Sequence, residues 1–101
     1  MVLELVKQRS VAAHFLAELR DVDVQKDAMR FRRNLERIGE VMALELSRTM
    51  EYREAEVTSP LGIAAVQLLA EQPVLATILR AGLPLHQGML NYFDKADSAF
   101  I

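Results

Sequence analysis

The sequence predicts an α/β protein, and three patterns support this prediction. Residues 10–50 carry apolar side chains at helical spacing, and residues 73–79 are almost continuously apolar. A second helical stretch then leads into another apolar segment, which begins at residue 98. Continuous apolar runs of this length are typical of parallel strands covered on both faces, and a strand, a helix and a second strand form one parallel unit.

Length and composition limit what the chain can be. It has 101 residues, a formal net charge of −2, 51% hydrophobic residues and no cysteine. One domain at most fits this length, and the hydrophobic content argues against disorder. The lack of cysteine excludes disulfide scaffolds, cysteine-ligated metal sites and cysteine nucleophiles. A sequence pI near 5.6 argues against a nucleic-acid binder that depends on positive charge.

The sequence also predicts a cytoplasmic protein with no membrane segment. Its apolar runs are far shorter than the roughly 20 residues that cross a bilayer. The first residues include Glu4 at a place where a secretion signal needs an uninterrupted apolar stretch, and no basic residue precedes it.

The first half of the chain predicts two helices. Ser10 can cap the first, a short helix that ends near Asp21, because its hydroxyl can accept a hydrogen bond from a free amide of the first turn. Asp23 is the expected cap of the second, longer helix, which runs to about Met50. The apolar face of the first helix is formed by Val11, Phe15, Leu16 and Leu19.

The second helix has one apolar stripe and one glycine in its interior. Gly39 costs about 1 kcal/mol relative to alanine at such a position. Either the local preference is overridden, or another element packs closely against Gly39. The stripe, with intervals of three and four residues, consists of Ala28, Phe31, Leu35, Ile38 and Met42.

Residues 54–69 predict a β-hairpin. Pro60 suits the second position of the turn and Gly62 suits its last position. The two strands are short of large side chains on one face, so they would form a poor core alone. We therefore expect an arm that reaches over a neighbouring molecule.

Residues 73–93 predict a strand, a loop and a helix. The apolar strand is broken near Arg80, and Pro84 can stand in the first turn of the helix that follows. A turn over residues 94–97 then leads to the next strand, from residue 98. An apolar strand edge left unpaired is an aggregation liability, so we expect residues 1–101 to be the front part of a larger α/β domain. The buried side of the predicted helix consists of Leu85, Met89, Leu90 and Phe93.

The loop between this strand and helix is the candidate binding site. In open α/β sheets, ligands gather beyond the carboxyl ends of the strands. Arg80 can supply donors to phosphate oxygens, while the small residues Ala81 and Gly82 let backbone amides approach an anion. The alternative is a tight turn without a ligand, in which Gly82 serves only through its backbone freedom.

The segment from Pro73 to Phe93, with its Ile-Leu-Arg-Ala-Gly-Leu core, resembles the first phosphate-contacting loop of the uracil phosphoribosyltransferases. The resemblance extends back through residues 58–62, where that family has its hairpin arm, and through the long helix with Phe31 and Arg32. It implies a partial Rossmann-like phosphoribosyltransferase domain with amino-terminal helices, the arm and the first parallel strands. It also implies transfer of ribose 5-phosphate from 5-phosphoribosyl pyrophosphate to uracil, which yields UMP in pyrimidine salvage.

The same resemblance implies the parts of the site. Arg80 would contact the pyrophosphate of the donor, with Ala81 and Gly82 lining the loop, and magnesium (Mg²⁺) would bind through that pyrophosphate. Related loops often contain a non-proline cis peptide bond, and family members form homodimers through their arms. The family's acidic phosphate loop, uracil-binding segment and second donor-binding arginine have no counterpart here, so the chain alone is expected to be inactive.

Other polar residues have simpler interpretations. His14 has no second imidazole at metal-binding spacing, and His86 is either a polar cap or a residue that senses a bound anion. Asp94 and Asp97 are explained by turn formation. The methionines are expected to be core fillers.

Two further hypotheses about function remain open. A basic cluster on the long helix favours a phosphoribosyltransferase-like regulator that binds the RNA of pyrimidine genes; alternatively, Glu36 and Glu40 pair with these arginines on a solvated face. The other hypothesis is a non-catalytic module that mediates association. The cluster consists of Arg30, Arg32, Arg33 and Arg37.

Overall fold

The computed structural model describes Glu4 and residues 7–101, and it has the predicted α/β class. Helices occupy the first half, an antiparallel hairpin follows, and a parallel strand pair joined through a helix completes the fold. Among the described residues, none of the helices combines the length and the hydrophobicity that a membrane span requires. The elements are α1 (Ala12–Arg20), a 3-10 turn (Val24–Lys26), α2 (Ala28–Ser47), β1 (Tyr52–Ser59), β2 (Gly62–Leu69), β3 (Val74–Thr77), α3 (Leu83–Tyr92) and β4 (Asp97–Phe100).

The long helix begins later than the sequence predicts. Asp27, rather than Asp23, accepts the capping hydrogen bond, from the amide of Arg30 at 3.0 Å. The carboxylate of Asp21 accepts the amide of Asp23 at 2.8 Å and directs the chain into a 3-10 turn first. The prediction at α1 is closer, because the hydroxyl of Ser10 accepts the amide of Ala12 at 3.2 Å.

Helices α2 and α3 cross with their backbones in direct contact. A Cβ atom added to Gly39 would overlap the carbonyl oxygen of Leu85, and one added to Gly88 would overlap the carbonyl oxygen of Glu36. The glycine inside the predicted long helix therefore does mark a close approach. The element that approaches it is α3.

Strands β1 and β2 form the predicted hairpin, which we call the hairpin arm (residues 52–69). Ser59 pairs with Gly62, so Pro60 and Leu61 make the turn. Gly62 has a φ of +133°, a conformation that favours glycine. Leu69 packs on the core at the base of the arm. Most of the remaining residues on both faces are exposed to solvent.

Strands β3 and β4 are parallel, as predicted, but the expected burial of β3 on both faces is wrong for the described chain. Leu75 is buried in the core with Ala43 of α2 and Phe93. Val74 and Ile78 are 66% and 69% exposed. Successive side chains of a strand point to opposite faces, and the helices cover only the face that carries Leu75.

The apolar stripe of α2 is buried in its middle and exposed at its start. Ile38 is buried and Met42 is half-buried, whereas Ala28 and Phe31 are exposed. The largest fully buried side chain of this helix is a polar one, Asn34, which hydrophobic periodicity does not detect. The first turn of the stripe is thus a wrong prediction, because helix α1 packs along a different line of α2. Val11 of the predicted α1 face is exposed as well.

Candidate functional site

The predicted site lies in the β3–α3 loop (residues 78–82). Arg80 and Ala81 are exposed at the tip of this loop, and the peptide bond between Leu79 and Arg80 is cis. The amide of Gly82 donates to the carbonyl oxygen of Ile78 at 3.1 Å. The chain therefore turns sharply, so that Arg80 and Ala81 stand beyond the carboxyl end of β3.

Gly82 is required at the base of this turn by space rather than by an unusual backbone conformation. Its φ is −77°, a value that any residue can adopt. A Cβ atom at Gly82 would overlap the hydroxyl oxygen of Thr77 and lie 3.0 Å from the carbonyl oxygen of Ile78. The interpretation of Gly82 through backbone freedom is therefore wrong, and the close approach of Thr77 explains it instead.

The loop leaves backbone donors available. The amides of Arg80 and Ala81 have no acceptor within hydrogen-bond range among the described residues. The amide of Gly82, which we expected to be available to a ligand, already donates within the turn. The two free amides are therefore those of Arg80 and Ala81, whereas the sequence predicted those of Ala81 and Gly82.

Strand β4 holds the loop from the opposite side. The amide of Ile101 donates to the carbonyl oxygen of Thr77 at 3.0 Å, and the amide of Leu79 donates to the carbonyl oxygen of Ile101 at 2.9 Å. The ladder between the parallel strands therefore continues into the residue that precedes Arg80. Sequence reasoning missed this role of Ile101, since no local pattern connects two residues so far apart.

The electrostatics of the loop favour an anion. No carboxylate in the described part of the chain lies within ion-pair range of Arg80. Helix α3 begins directly after the loop and adds the partial positive charge of its amino terminus. An exposed guanidinium, two free amides and a helix start together suit the oxygens of a phosphate or pyrophosphate.

His86 faces strand β4 rather than the loop tip. Its side chain is 8% exposed, and Nε2 lies 2.9 Å from the hydroxyl of Ser98. Its ring centroid is 5.3 Å from that of Phe100. No side-chain capping hydrogen bond is present at the start of α3, so the side chain of His86 joins α3 to β4 instead of acting as the predicted polar cap.

A cavity of about 620 Å³ lies beside the first turn of α3. Arg32 of α2, Leu83 and Phe100 line it, whereas Arg80 and Ala81 do not. Its walls are mainly apolar and belong to the uncovered side of the helix pair. The exposed guanidinium of Arg80 and the free amides of the β3–α3 loop therefore lie outside this cavity.

Two arginines of the basic cluster on α2 contact side chains of α1. Arg30 forms an ion pair with Glu18 of α1 at 3.3 Å, and Arg37 lies 5.3 Å above the ring of Phe15. The expected pair between Arg37 and Glu40 is therefore absent. A surface in which these side chains are engaged is a weaker candidate for RNA binding.

The remaining arginines of the cluster behave differently from each other. Arg33 forms the expected ion pair with Glu36 at 3.3 Å, whereas Arg32 lines the cavity beside α3. The carboxylates of Glu36 and Glu40 both accept hydrogen bonds from the amide group of Asn91, at 3.0 and 3.1 Å. Part of the charge on this helix therefore serves the contact with α3.

The described residues offer no ready-made metal site. Glu4 and residues 7–101 include no group of three His, Asp or Glu side chains that could hold an ion. His14 is exposed, as are Asp94 and Asp97. These side chains do not fit a resident magnesium ion, so we assign none of them to it.

Comparisons with known proteins agree with the resemblance seen in the sequence. The family model described as uracil phosphoribosyltransferase matches residues 6–101. A uracil phosphoribosyltransferase of Porphyromonas gingivalis is 51% identical over 100 residues, which cover 99% of this chain and 46% of the relative. One of Methanothermobacter thermautotrophicus is 39% identical over 77 residues, which cover 74% of this chain and 36% of the relative.

A solved structure supports the same fold. The AQ2163 protein of Aquifex aeolicus superposes with a TM-score of 0.79 at 27% sequence identity, over 99% of this chain and 47% of that one. The matched residues thus span less than half the length of the curated relatives and of the solved structure.

Proposed function

Because the chain belongs to the uracil phosphoribosyltransferase family, we propose that the whole protein that carries it transfers a phosphoribosyl group from 5-phosphoribosyl pyrophosphate to uracil. The products are UMP and pyrophosphate, a reaction of pyrimidine salvage in the cytoplasm. The β3–α3 loop is the observation that carries this proposal. Its exposed Arg80 and its two free amides suit the pyrophosphate of the donor.

The loop would act on the leaving group. As the bond from the sugar carbon to pyrophosphate breaks, the carbon becomes cation-like and negative charge builds on the departing oxygens. Donors fixed around those oxygens stabilise the transition state more than the ground state, which accelerates the reaction. The guanidinium of Arg80 and the amides of Arg80 and Ala81 would supply this electrostatic stabilisation, without proton transfer.

Magnesium is part of the proposal as a companion of the donor. A divalent ion bound to pyrophosphate oxygens neutralises charge as that group leaves. The described residues contain no cluster of three or more His, Asp or Glu side chains that could hold such an ion. We therefore propose that it enters on the donor and that Arg80 contacts the pyrophosphate directly.

The rest of the family fold would complete the site. Val74 and Ile78 leave an apolar face of the parallel sheet uncovered in the described chain. We propose that residues 1–101 form the amino-terminal part of a single phosphoribosyltransferase domain whose remainder covers this face and supplies the uracil site. The 101 residues alone would then be inactive.

The hairpin arm supports a homodimer as a further part of the proposal. Leu61 at its tip is 100% exposed, and Val57 and Ile63 are also exposed large apolar residues. Burying such side chains against a second copy would stabilise a dimer by roughly 25 cal/mol for each Å² of apolar surface. Sedimentation of the whole protein should show a dimer, and Leu61→Lys with Ile63→Lys should shift it towards monomer. A monomeric parent protein would contradict the arm's role.

The decisive experiment replaces Arg80 in the whole protein. Arg80→Ala should raise the KM for 5-phosphoribosyl pyrophosphate, or lower kcat/KM, by about tenfold to a hundredfold, the value of a hydrogen bond to a charged group. Arg20→Ala, an exposed arginine at the end of α1, is the matched control and should leave both constants unchanged. Steady-state kinetics in which Arg80→Ala equals the parent protein would refute the assignment.

A further inference from the structure

We infer that His86 is a positioning residue for the β3–α3 loop, which it holds by fixing strand β4. The continuation of β4 at Ile101 carries the carbonyl group that accepts the amide of Leu79, the residue before Arg80. This inference rests on the proposed function, because it assigns to His86 an effect on binding of the pyrophosphate donor.

The side chain of His86 joins helix α3 to strand β4 in two ways. Nε2 is 2.9 Å from the hydroxyl of Ser98, and the imidazole ring packs against the ring of Phe100 with an interplanar angle of 46°. Ser98 and Phe100 are two positions apart along the strand and therefore lie on the same face of it. A single imidazole therefore contacts the strand at two successive positions of that face.

Strand β4 has little else to hold it against the helix. None of its four residues is buried. Its regular contact within the described chain is the parallel ladder with β3. The contacts of His86 add a side-chain attachment between α3 and β4 to that ladder.

The register of β4 is transmitted to the loop by main-chain hydrogen bonds. Phe100 pairs with Thr77, and the amide of Ile101 donates to the carbonyl oxygen of Thr77. The carbonyl group of Ile101 then accepts the amide of Leu79 at 2.9 Å. When β4 moves, this acceptor moves with it, and the position of the free amide of Arg80 changes as well.

His86 also contacts the other end of the loop through its main chain. Its amide donates to the carbonyl oxygen of Gly82 at 2.9 Å. The same residue thus fixes the carboxyl end of the loop through its backbone and the amino end through its side chain. Donors that are fixed before a ligand arrives bind an anion more tightly than donors that must be ordered on binding.

The test removes the hydrogen bond without disturbing the core. In the whole protein, Ser98→Ala deletes an exposed hydroxyl, and His86→Phe keeps a ring beside Phe100 but cannot hydrogen-bond. Each change should raise the KM for 5-phosphoribosyl pyrophosphate about threefold to tenfold, the value of one hydrogen bond, and leave the KM for uracil unchanged. The double variant should lose no more than the larger single effect, since both remove the same contact.

Two controls accompany these variants. Ser98→Thr keeps a hydroxyl at the position and should restore the KM for the donor. Ser47→Ala removes a hydroxyl that donates to the carbonyl oxygen of Leu44 at 2.6 Å, away from the loop, and should leave that KM unchanged. A second readout is hydrogen exchange of the Leu79 amide without ligand, which should accelerate in Ser98→Ala and not in Ser47→Ala.

The outcomes separate this inference from the proposed function. If Arg80→Ala weakens donor binding while Ser98→Ala and His86→Phe leave it unchanged, the positioning role is overturned and the proposed function stands. Unchanged exchange of the Leu79 amide in Ser98→Ala also overturns it. If Arg80→Ala has no effect on the donor, the proposed function fails, and the role of His86 in donor binding fails with it.

Discussion

Helix α2 contacts its two neighbouring helices in opposite ways. Against α3 it offers Gly39, and α3 offers Gly88, so that the two backbones touch. Against α1 it offers Asn34, a fully buried amide that donates to Glu18 at 2.7 Å. The first contact depends on the absence of side-chain atoms, whereas the second depends on matched polar atoms.

The two contacts differ in their expected effect on the β3–α3 loop. The contact between α2 and α3 helps to position this loop, whereas the contact between α2 and α1 mainly attaches α1. A backbone contact has no rotatable side chain in it, so it fixes the distance between helices firmly. Helix α3 begins at the β3–α3 loop, and the contact at Gly88 therefore helps to place that loop. Helix α1 packs on α2 and the 3-10 turn, so loss of the contact between α1 and α2 should change the position of the loop far less.

The largest effect is expected from Gly88→Ala. The new methyl group would overlap the carbonyl oxygen of Glu36, and neither backbone can move without shifting a helix. We expect a loss of about 3 kcal/mol or more in the free energy of unfolding, together with a raised KM for the donor. Urea denaturation and steady-state kinetics of the whole protein would measure both. Gln87→Ala, an exposed neighbour on the same helix, is the control, and equal losses in the two variants would contradict the backbone contact.

Asn34→Ala should have the second largest effect on the free energy of unfolding, because it removes the polar contact between α2 and α1. It leaves Glu18 and Arg37 without the amide that joins them. We expect a loss of about 1–3 kcal/mol, the cost of unsatisfied polar groups, with the KM for the donor unchanged. For stability, Asn91→Ala is the matched control, because that asparagine hydrogen-bonds at an exposed position and its loss should cost less. A raised donor KM in Asn34→Ala would show that α1 also positions the loop.

The smallest effect is expected from the charge of Glu18. Hydrogen bonds from Asn34 and then Arg30 hold the pKa of this carboxyl group below its ordinary value of 4.5. A lowered pKa in the folded state stabilises the protein above pH 4.5, and this stabilisation is lost as the pH falls through the lowered value. The difference in unfolding free energy between the parent protein and Glu18→Gln should therefore shrink in acid.

Denaturation at neutral pH and at a series of acidic values would measure this difference. Glu54→Gln is a suitable control, because Glu54 lies on the exposed hairpin arm and accepts no hydrogen bond from a described side chain. A difference for Glu18→Gln that stays constant into acid would show that the contact with α1 does not depend on the carboxylate charge.

The sequence predicted those features of the fold that depend on neighbouring residues. Pro60 and Gly62 identified the hairpin turn, and the interior glycine at position 39 left a close contact as one of two explanations. The start of α2 was misplaced because Asp23 and Asp27 are equally good caps locally, and the 3-10 turn decides between them. Such a choice depends on how the preceding chain turns.

The position of the β3–α3 loop was predicted, but the contacts that support this loop were not. The apolar run that ends just before Arg80 indicated the loop, because strand ends have a recognisable local composition. The contacts of His86 with Ser98 and of Leu79 with Ile101 join residues that are distant in sequence, and no spacing rule indicates them. The exposure of Ile78 was missed for another reason: the run has the composition of a sheet covered on both faces, and the described chain covers one.

The hydrogen bond from Leu79 to Ile101 has a consequence for how the protein is made. A ribosome adds about 5–20 residues per second, so Ile101 follows Leu79 by roughly one to four seconds. During that interval the nascent loop lacks the carbonyl group that orients it. The growing chain therefore cannot form the native geometry of this loop until synthesis has passed Ile101 and this residue has left the exit tunnel.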